Sequence, residues 1–572
     1  MPYRRRHLLG LASAGLTSAG LTSAGLASAG PASAGLASAG LASQGAVAPG
    51  HPAPRPEGRR TAPPPNITIE THRGKIRGTV DDGIKVFKGI PYADNTGGLN
   101  RFRPPKPPKG WPDVRDTLSY GPMCPQLGSE RASYTASWTY DKEASEDCLV
   151  LNVWTPALHD QRRRPVMVWL HGGGFSAGSA SRNVFEGTRL CQRGDVVVVT
   201  LNHRLDVFGF LYLGRLGGAE YAESGNAGML DLVAALHWVH DNISAFGGDP
   251  ANVTIFGQSG GAAKVSVLMA MPQARGLFHK AIVQSGSHLD ALTPDEATKN
   301  ALTFLAAVDV KPTELSRLAK LPTDRLVAGL AKIMDTAGPK PNYSPVIDGI
   351  VLPRAPWQPD APAVSAGIPM IVGSIRTETT ALLGAAHPAY FALDEASLPR
   401  SLIGWVPDKD IPRVIAGFRK LFPTASASDL FFAITTDRRV RQQAWAQAER
   451  KAAQAAAPVW LYELDWATPA DGGKWGSPHS LDLAFVFDNV AKSAAMVGAG
   501  AEPQHLADQM SAAWIAFART GNPNTSAVPT WPPFSLGQRA TMVFNAASTV
   551  VPDFRGEERA LLAPLPLYRV NR

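Results

Sequence analysis

The stretch Phe256-Gly257-Gln258-Ser259-Gly260-Gly261, FGQSGG, sets one serine among three glycines. The residues before it, NVTI at 252–255, include a β-branched run that favours a strand. The residues after it, AAKVSVLMA at 262–270, lack glycine and proline and read as a helix. Glycines alone make turns, and a turn is the plain reading of this junction. The sharper reading is a serine held on a bend too tight for neighbouring side chains, its hydroxyl projected into the open, as Gly-x-Ser-x-Gly requires. The rest of the chain decides between them.

Outward from this junction, short apolar runs read as buried strands: Val166–Leu170, Val196–Leu201, Val253–Phe256, Ala281–Val283, Met370–Val372 and Val459–Leu464. Helical patterns lie between them, at Gly228–Ile243, Gly261–Ala270, Glu296–Ala307, Asp437–Ala456 and Leu506–Arg519. Strands alternating with helices predict an α/β fold with a mostly parallel, doubly wound central sheet flanked by helices. Residues 310–365 and 385–436 are less regular and are expected to form helical insertions over one end of the sheet.

A serine hydroxyl needs a base, an acid that orients the base, and donors for the oxyanion. A second strand runs into His171-Gly172-Gly173-Gly174-Phe175, within VWLHGGGFSAG at 168–178. Three adjacent glycines let backbone N–H groups turn toward a substrate oxygen. A phosphate-binding Walker loop would end in Gly-Lys-Ser/Thr, and this run ends in Phe-Ser-Ala.

The chain has 572 residues, 44% of them hydrophobic and 18% charged, which suffices for a large core. Its formal net charge is +8, and the three arginines at 4–6 account for part of it. No basic block interleaved with aromatics follows, so nucleic-acid binding is not expected. No later run of 18 apolar residues suggests stable membrane association. The three cysteines, Cys124, Cys148 and Cys191, form no Cys-x-x-Cys pair, and His-Glu-x-x-His is absent, so no zinc site of those kinds exists. His237 and His240 lie three apart and are read as surface residues.

Residues 1–48 open on MPYRRRHLLG and continue through seven pentads of the LASAG type, Leu11 to Gly45, to Ala46-Val47-Ala48. This low-complexity stretch reads as an export signal of twin-arginine character, with Arg4 where that motif usually has Ser or Thr. Residues 49–65 are proline-rich and read as a linker, and residues 66–572 as one large domain.

Several stretches, in joint order, carry a resemblance: FKGIPYA (87–93), EDCLVLNVW (146–154), HGGGFSAG (171–178), NHRLDVFGFL (202–211), QSGS (284–287), PVIDGIVLP (345–353), HSLDLAFVF (479–487) and WIAFARTGNPN (514–524). The chain resembles the type-B carboxylesterases, the family of cholinesterases and para-nitrobenzyl esterases, on the α/β-hydrolase fold. The resemblance implies a serine esterase that needs no cofactor or metal and acts on a small-molecule ester. It implies Ser259 as nucleophile, Glu378 as acid (five residues beyond Gly373) and His479 as base. It implies an oxyanion hole of Gly173, Gly174 and Gly260, and a disulfide between Cys124 and Cys148, which would suit an oxidising compartment. It implies Arg101–Glu146 and Arg204–Asp231 as structural ion pairs. Asp482 is the acid nearer to His479 in sequence, but it stands one turn away and is not expected to reach the back of the imidazole.

The chain departs from the family at Gln258, where Glu is usual, at Gly260, where Ala is usual, and in NHRLD, where NYRLG is common. Gln258 supplies no charge beside the nucleophile, so neutral esters are expected. Trp138 falls where cholinesterases place an aromatic platform and is read here as a loop anchor. Two other readings are weighed: a lipase on longer-chain esters, and a non-catalytic binding protein of the same fold. Binding relatives typically lose the serine or the histidine, and both are present. A Ser-x-x-Lys enzyme would need lysine at 262, which is Ala262.

Overall fold

A computed structural model describes residues 67–569 apart from 129–134, 136, 141 and 142. The stretch read as an export signal, residues 1–48, and the whole of the expected linker, 49–65, lie outside the described residues. Among the described residues one 13-stranded sheet runs through the molecule. Its centre is parallel, in the spatial order Val197–Leu201, Arg164–Leu170, Gly248–Gln258, Lys280–Gln284, Met370–Ile375, Val459–Leu464 and Thr541–Phe544. These include all six expected strands. Antiparallel strands flank them: Ile67–Thr71, Gly74–Asp81, Ile84–Pro91 and Val150–Thr155 on one side, Thr549–Val551 on the other.

The parallel strands carry apolar runs through their middles because both faces are covered. Alternation still sorts their side chains. Val166, Val168 and Leu170 join one core, with Val197, Val199, Val253 and Ile255, beneath the helices Ala227–Asn242 and Gly260–Leu268. Met167 and Trp169 join the other, with Val198, Phe256, Trp514 and Phe517, beneath the helix Ala501–Thr520. A third core forms in the 385–436 insertion, where Leu402, Val414, Phe418 and Phe431 pack with Leu562 near the C-terminus. The helix expected over Asp437–Ala456 begins with a π-helical turn, Asp437–Arg441, before the α-helix Gln442–Gln454.

The two expected ion pairs are formed inside the protein. The Arg101 guanidinium meets Glu146 at 2.6 Å and also donates to the Leu318 carbonyl. Arg204 meets Asp231 at 2.6 Å, and neither is more than 2% exposed. The expected disulfide is not formed: Cys124 and Cys148 are buried free thiols, as is Cys191. Cys124 Sγ instead accepts the Leu205 N–H at 3.2 Å. A hydrogen bond with Cys124, with burial second, holds the Cys148 thiol far above its ordinary pKa, so it stays protonated.

The order around the central strand places the site. From Arg164–Leu170 the chain passes to Val197–Leu201 on one side, and the next strand, Gly248–Gln258, pairs on the other. Such a switch point opens a crevice at the carboxyl ends of the strands. Leu170 stands opposite Gly257 in register, so His171-Gly172-Gly173-Gly174 and Ser259 emerge side by side.

Candidate active site

Ser259 follows the strand Gly248–Gln258 directly and caps the helix Gly260–Leu268, with φ 58° and ψ −128°. That conformation is costly for a residue with a Cβ, and neighbours must hold it. Its N–H donates to the Gln284 carbonyl at 2.8 Å, and its carbonyl accepts from Ala263 at 3.0 Å. A Cβ on Gly261 would land on the Leu170 carbonyl oxygen, and one on Gly260 would collide with the Gly174 backbone. Glycine at these positions lets the helix start against the neighbouring strand and loop. The sharper reading of FGQSGG is thereby the structural one.

Gly173 and Gly174 have φ of 103° and 61°, a left-handed pair that turns their amides outward. The N–H groups of Gly173, Gly174 and Gly260 donate to no protein acceptor among the described residues, and all three glycines line one cavity with Ser259. Lys264 holds this loop from below. Its buried ammonium donates to the carbonyls of Gly174 at 2.8 Å and His171 at 3.1 Å, and burial pulls its pKa down to about 7. Sequence reasoning passed over Lys264; a lysine inside an otherwise apolar helix was the available signal. Burial, and then the Lys264 charge, hold His171 down at about 3 and therefore neutral. His171 stacks on His203 with ring centroids 4.8 Å apart.

The strand Met370–Ile375 ends beside the nucleophile strand's neighbour and delivers Glu378, which is 0% exposed. One Glu378 oxygen, Oε1, accepts the Ile375 N–H at 2.8 Å; the other, Oε2, lies 2.5 Å from His479 Nδ1. The bond assigns the proton to Nδ1 and leaves Nε2 as the acceptor. The Gln258 amide nitrogen lies 3.2 Å from that Nε2, and the Gln258 carbonyl oxygen accepts from Ser480 Oγ at 3.1 Å. This link from Gln258 to the histidine was not legible in sequence, because the two are far apart in the chain. Asp482 turns away: it accepts from Gln284 at 2.8 Å and from the Tyr462 hydroxyl at 3.2 Å, and burial raises its carboxyl to about 6. Trp138 is buried, with its indole N–H on Ser493 Oγ at 3.0 Å, and is absent from the cavity lining. It anchors a loop.

The cavity has a volume of about 500 Å³ and contains Ser259, His479 and the glycine amides in its wall. A strand-borne serine at the carboxyl end of a parallel sheet, beside an acid-bound histidine, defines an α/β hydrolase. The sequence profile described as the carboxylesterase family matches residues 65–559, and the chain belongs to that family. It is 36% identical over 503 residues to the para-nitrobenzyl esterase of Bacillus subtilis (strain 168), covering 87% of this chain and 98% of that protein. It is 32% identical over 489 residues to the fumonisin B1 esterase of Sphingopyxis macrogoltabida, covering 82% and 85%. The crystal structure of a Geobacillus stearothermophilus carboxylesterase superposes with a TM-score of 0.76 at 39% identity, over 86% of this chain and 99% of that one. The protein is a carboxylic ester hydrolase.

Proposed function

We propose that the protein hydrolyses uncharged carboxylic esters through an acyl-enzyme, with Ser259 as nucleophile, His479 as general base and Glu378 as its orienting acid. One observation supports this most: Glu378 bonds the Nδ1 of His479, and His479 and Ser259 line the same cavity. His479 takes the Ser259 proton as Oγ attacks the ester carbonyl. The oxyanion is received by the N–H groups of Gly173, Gly174 and Gly260, which donate to no protein acceptor among the described residues. The alcohol leaves with the proton from His479, and water then releases the acid through the same base. Gln258 must yield Nε2 to Ser259 for the first step, so its amide is a movable neighbour of the base.

The test is Ser259→Ala, which removes the nucleophile and should lower turnover of para-nitrophenyl esters by about 10⁴-fold with the fold intact. In the parent, acylation should appear by mass spectrometry as an adduct on the peptide holding Ser259. Retained activity within tenfold, or an adduct elsewhere, removes the assignment. We further propose that residues 1–48 export the domain at 66–572. Replacing Arg5 and Arg6 with lysine should then keep the enzyme inside the cell, and a mature form still outside refutes the twin-arginine route.

A further inference from the structure

Three arginines crowd the π-helical turn Asp437–Arg441, and two of them are engaged by protein acceptors. Arg441 is paired with Asp437 and, at 2.7 Å, with Glu463. Arg438 donates to the Trp405 carbonyl at 2.9 Å and to Gln442 Oε1 at 2.6 Å. Arg439, between them, makes no hydrogen bond or ion pair among the described residues and lines the cavity that holds Ser259 and His479. A π-turn pushes one residue out of helical register, and such turns recur at functional sites.

The surroundings of Arg439 leave its charge uncompensated. Among the described residues, no aspartate or glutamate lines the cavity. Arg182, a second cation in the wall, lies over the rings of Trp138, Tyr140 and Phe185 at 5.8–5.9 Å. Burial lowers the Arg439 pKa, opposed by Tyr568 and by Glu378, whose carboxylate is already bound to His479. The hydroxyl of Ser287 and Nε2 of His288, both in the same wall, have no partner among the described residues. A half-buried guanidinium with no counter-ion among the described residues, in a wall that also holds these two unpartnered polar atoms, is a fork for a planar anion.

We infer that Arg439 selects esters that carry a carboxylate at a distance from the scissile bond, receiving it as a bidentate ion pair inside the catalytic cavity. This rests on the esterase reading of Ser259 and revises the uncharged-substrate part of it: the ester group itself is neutral, and a carboxylate sits elsewhere in the same substrate. The carboxylate can belong to the acid half, as in a hemiester of a dicarboxylic acid, or to the alcohol half, as in an acylated hydroxy acid.

The experiment measures kcat/KM for two matched pairs. Para-nitrophenyl hemiglutarate is compared with para-nitrophenyl glutaramate, and 4-acetoxybenzoate with 4-acetoxybenzamide, in the parent, Arg439→Gln and Arg439→Lys. The parent should prefer the carboxylate over its amide in one pair by about tenfold or more, which identifies the half that faces Arg439. Arg439→Gln should lower that ratio by about 10- to 100-fold, chiefly through KM, and Arg439→Lys should restore part of it. An equal fall for both members of a pair means that Arg439 acts through the nearby Glu378 and overturns the proposal. So does a parent that prefers the amide in both pairs. Amide esters that are not hydrolysed by the parent would count against the esterase reading itself. Should neither variant fold, inhibition of the parent by glutarate and by glutaramate decides. Stronger inhibition by glutarate that weakens with added salt supports the site, and equal inhibition overturns it.

Discussion

Glu378→Gln separates the two jobs of the acid, because the structure dictates how the amide must lie. Glu378 Oε1 accepts the Ile375 N–H at 2.8 Å, and Oε2 faces His479 Nδ1 at 2.5 Å. The backbone N–H requires an oxygen, so the glutamine oxygen takes the Oε1 place. The NH₂ then points at His479, where only an unprotonated Nδ1 can receive it. The imidazole is forced into the tautomer with hydrogen on Nε2, which cannot take a proton from Ser259. The negative charge is lost as well. Taking charge centres about 4 Å apart and an effective dielectric near 20, the imidazolium formed during attack loses about 4 kcal/mol of stabilisation, or about a thousandfold in rate. Together these effects place the loss in kcat between about 10³- and 10⁴-fold. Thermal stability should change little, because the Ile375 N–H keeps its acceptor. Glu378→Asp keeps the charge and shortens the reach by one methylene, and should cost less, about 10- to 100-fold. The assay is steady-state hydrolysis of a para-nitrophenyl ester, with the burst of nitrophenolate as a measure of acylation. A Glu378→Gln enzyme with more than a tenth of the parent kcat, or an aspartate variant worse than the glutamine variant, would refute this account of the acid.

Two further perturbations test the neighbourhood of the site. Asp206 sits at φ 50°, where the family's common motif has glycine, and burial raises its carboxyl to about 7. Its unfolded value is about 3.9, so between those values the folded state holds the extra proton and stability falls as pH rises. Asp206→Gly removes both the strain and the buried charge. Its advantage in Tm should be small at pH 5 and widen by several degrees at pH 8, and a gap that stays constant between the two rejects the buried-carboxylate reading. Gln258→Glu would set a carboxylate where the amide nitrogen now lies 3.2 Å from His479 Nε2. The ratio of kcat/KM for an acylcholine to that for its uncharged carbon isostere should then rise, by up to about a hundredfold; an unmoved ratio shows that residue 258 does not set charge preference.

The strands and motifs were legible because they are local. Continuous apolar runs mark strands buried on both faces, and glycine patterns mark backbone that no other residue can follow. The resemblance supplied Glu378 and His479, which no local pattern singles out: an isolated glutamate reads as a surface group. The antiparallel margin was less visible, since the strands before Val150 interleave buried residues with half-buried or exposed polar ones and carry no long apolar run. The cysteines mark a different limit. The resemblance suggested a disulfide, whereas the structure holds Cys124 and Cys148 as buried free thiols.

The sequence alone determined that a serine would stand on a strained strand-to-helix bend, with a glycine loop able to offer amides nearby. Both follow from which backbone angles each residue permits. Only the tertiary structure decided what surrounds that serine. It laid Gln258 against His479, set Lys264 beneath the glycine loop, and left Arg439 facing the cavity while Arg438 and Arg441 found partners. Adjacent arginines look alike in a sequence. Which of them keeps a free charge depends on the acceptors that distant segments bring to each, and that is settled only when the chain has folded.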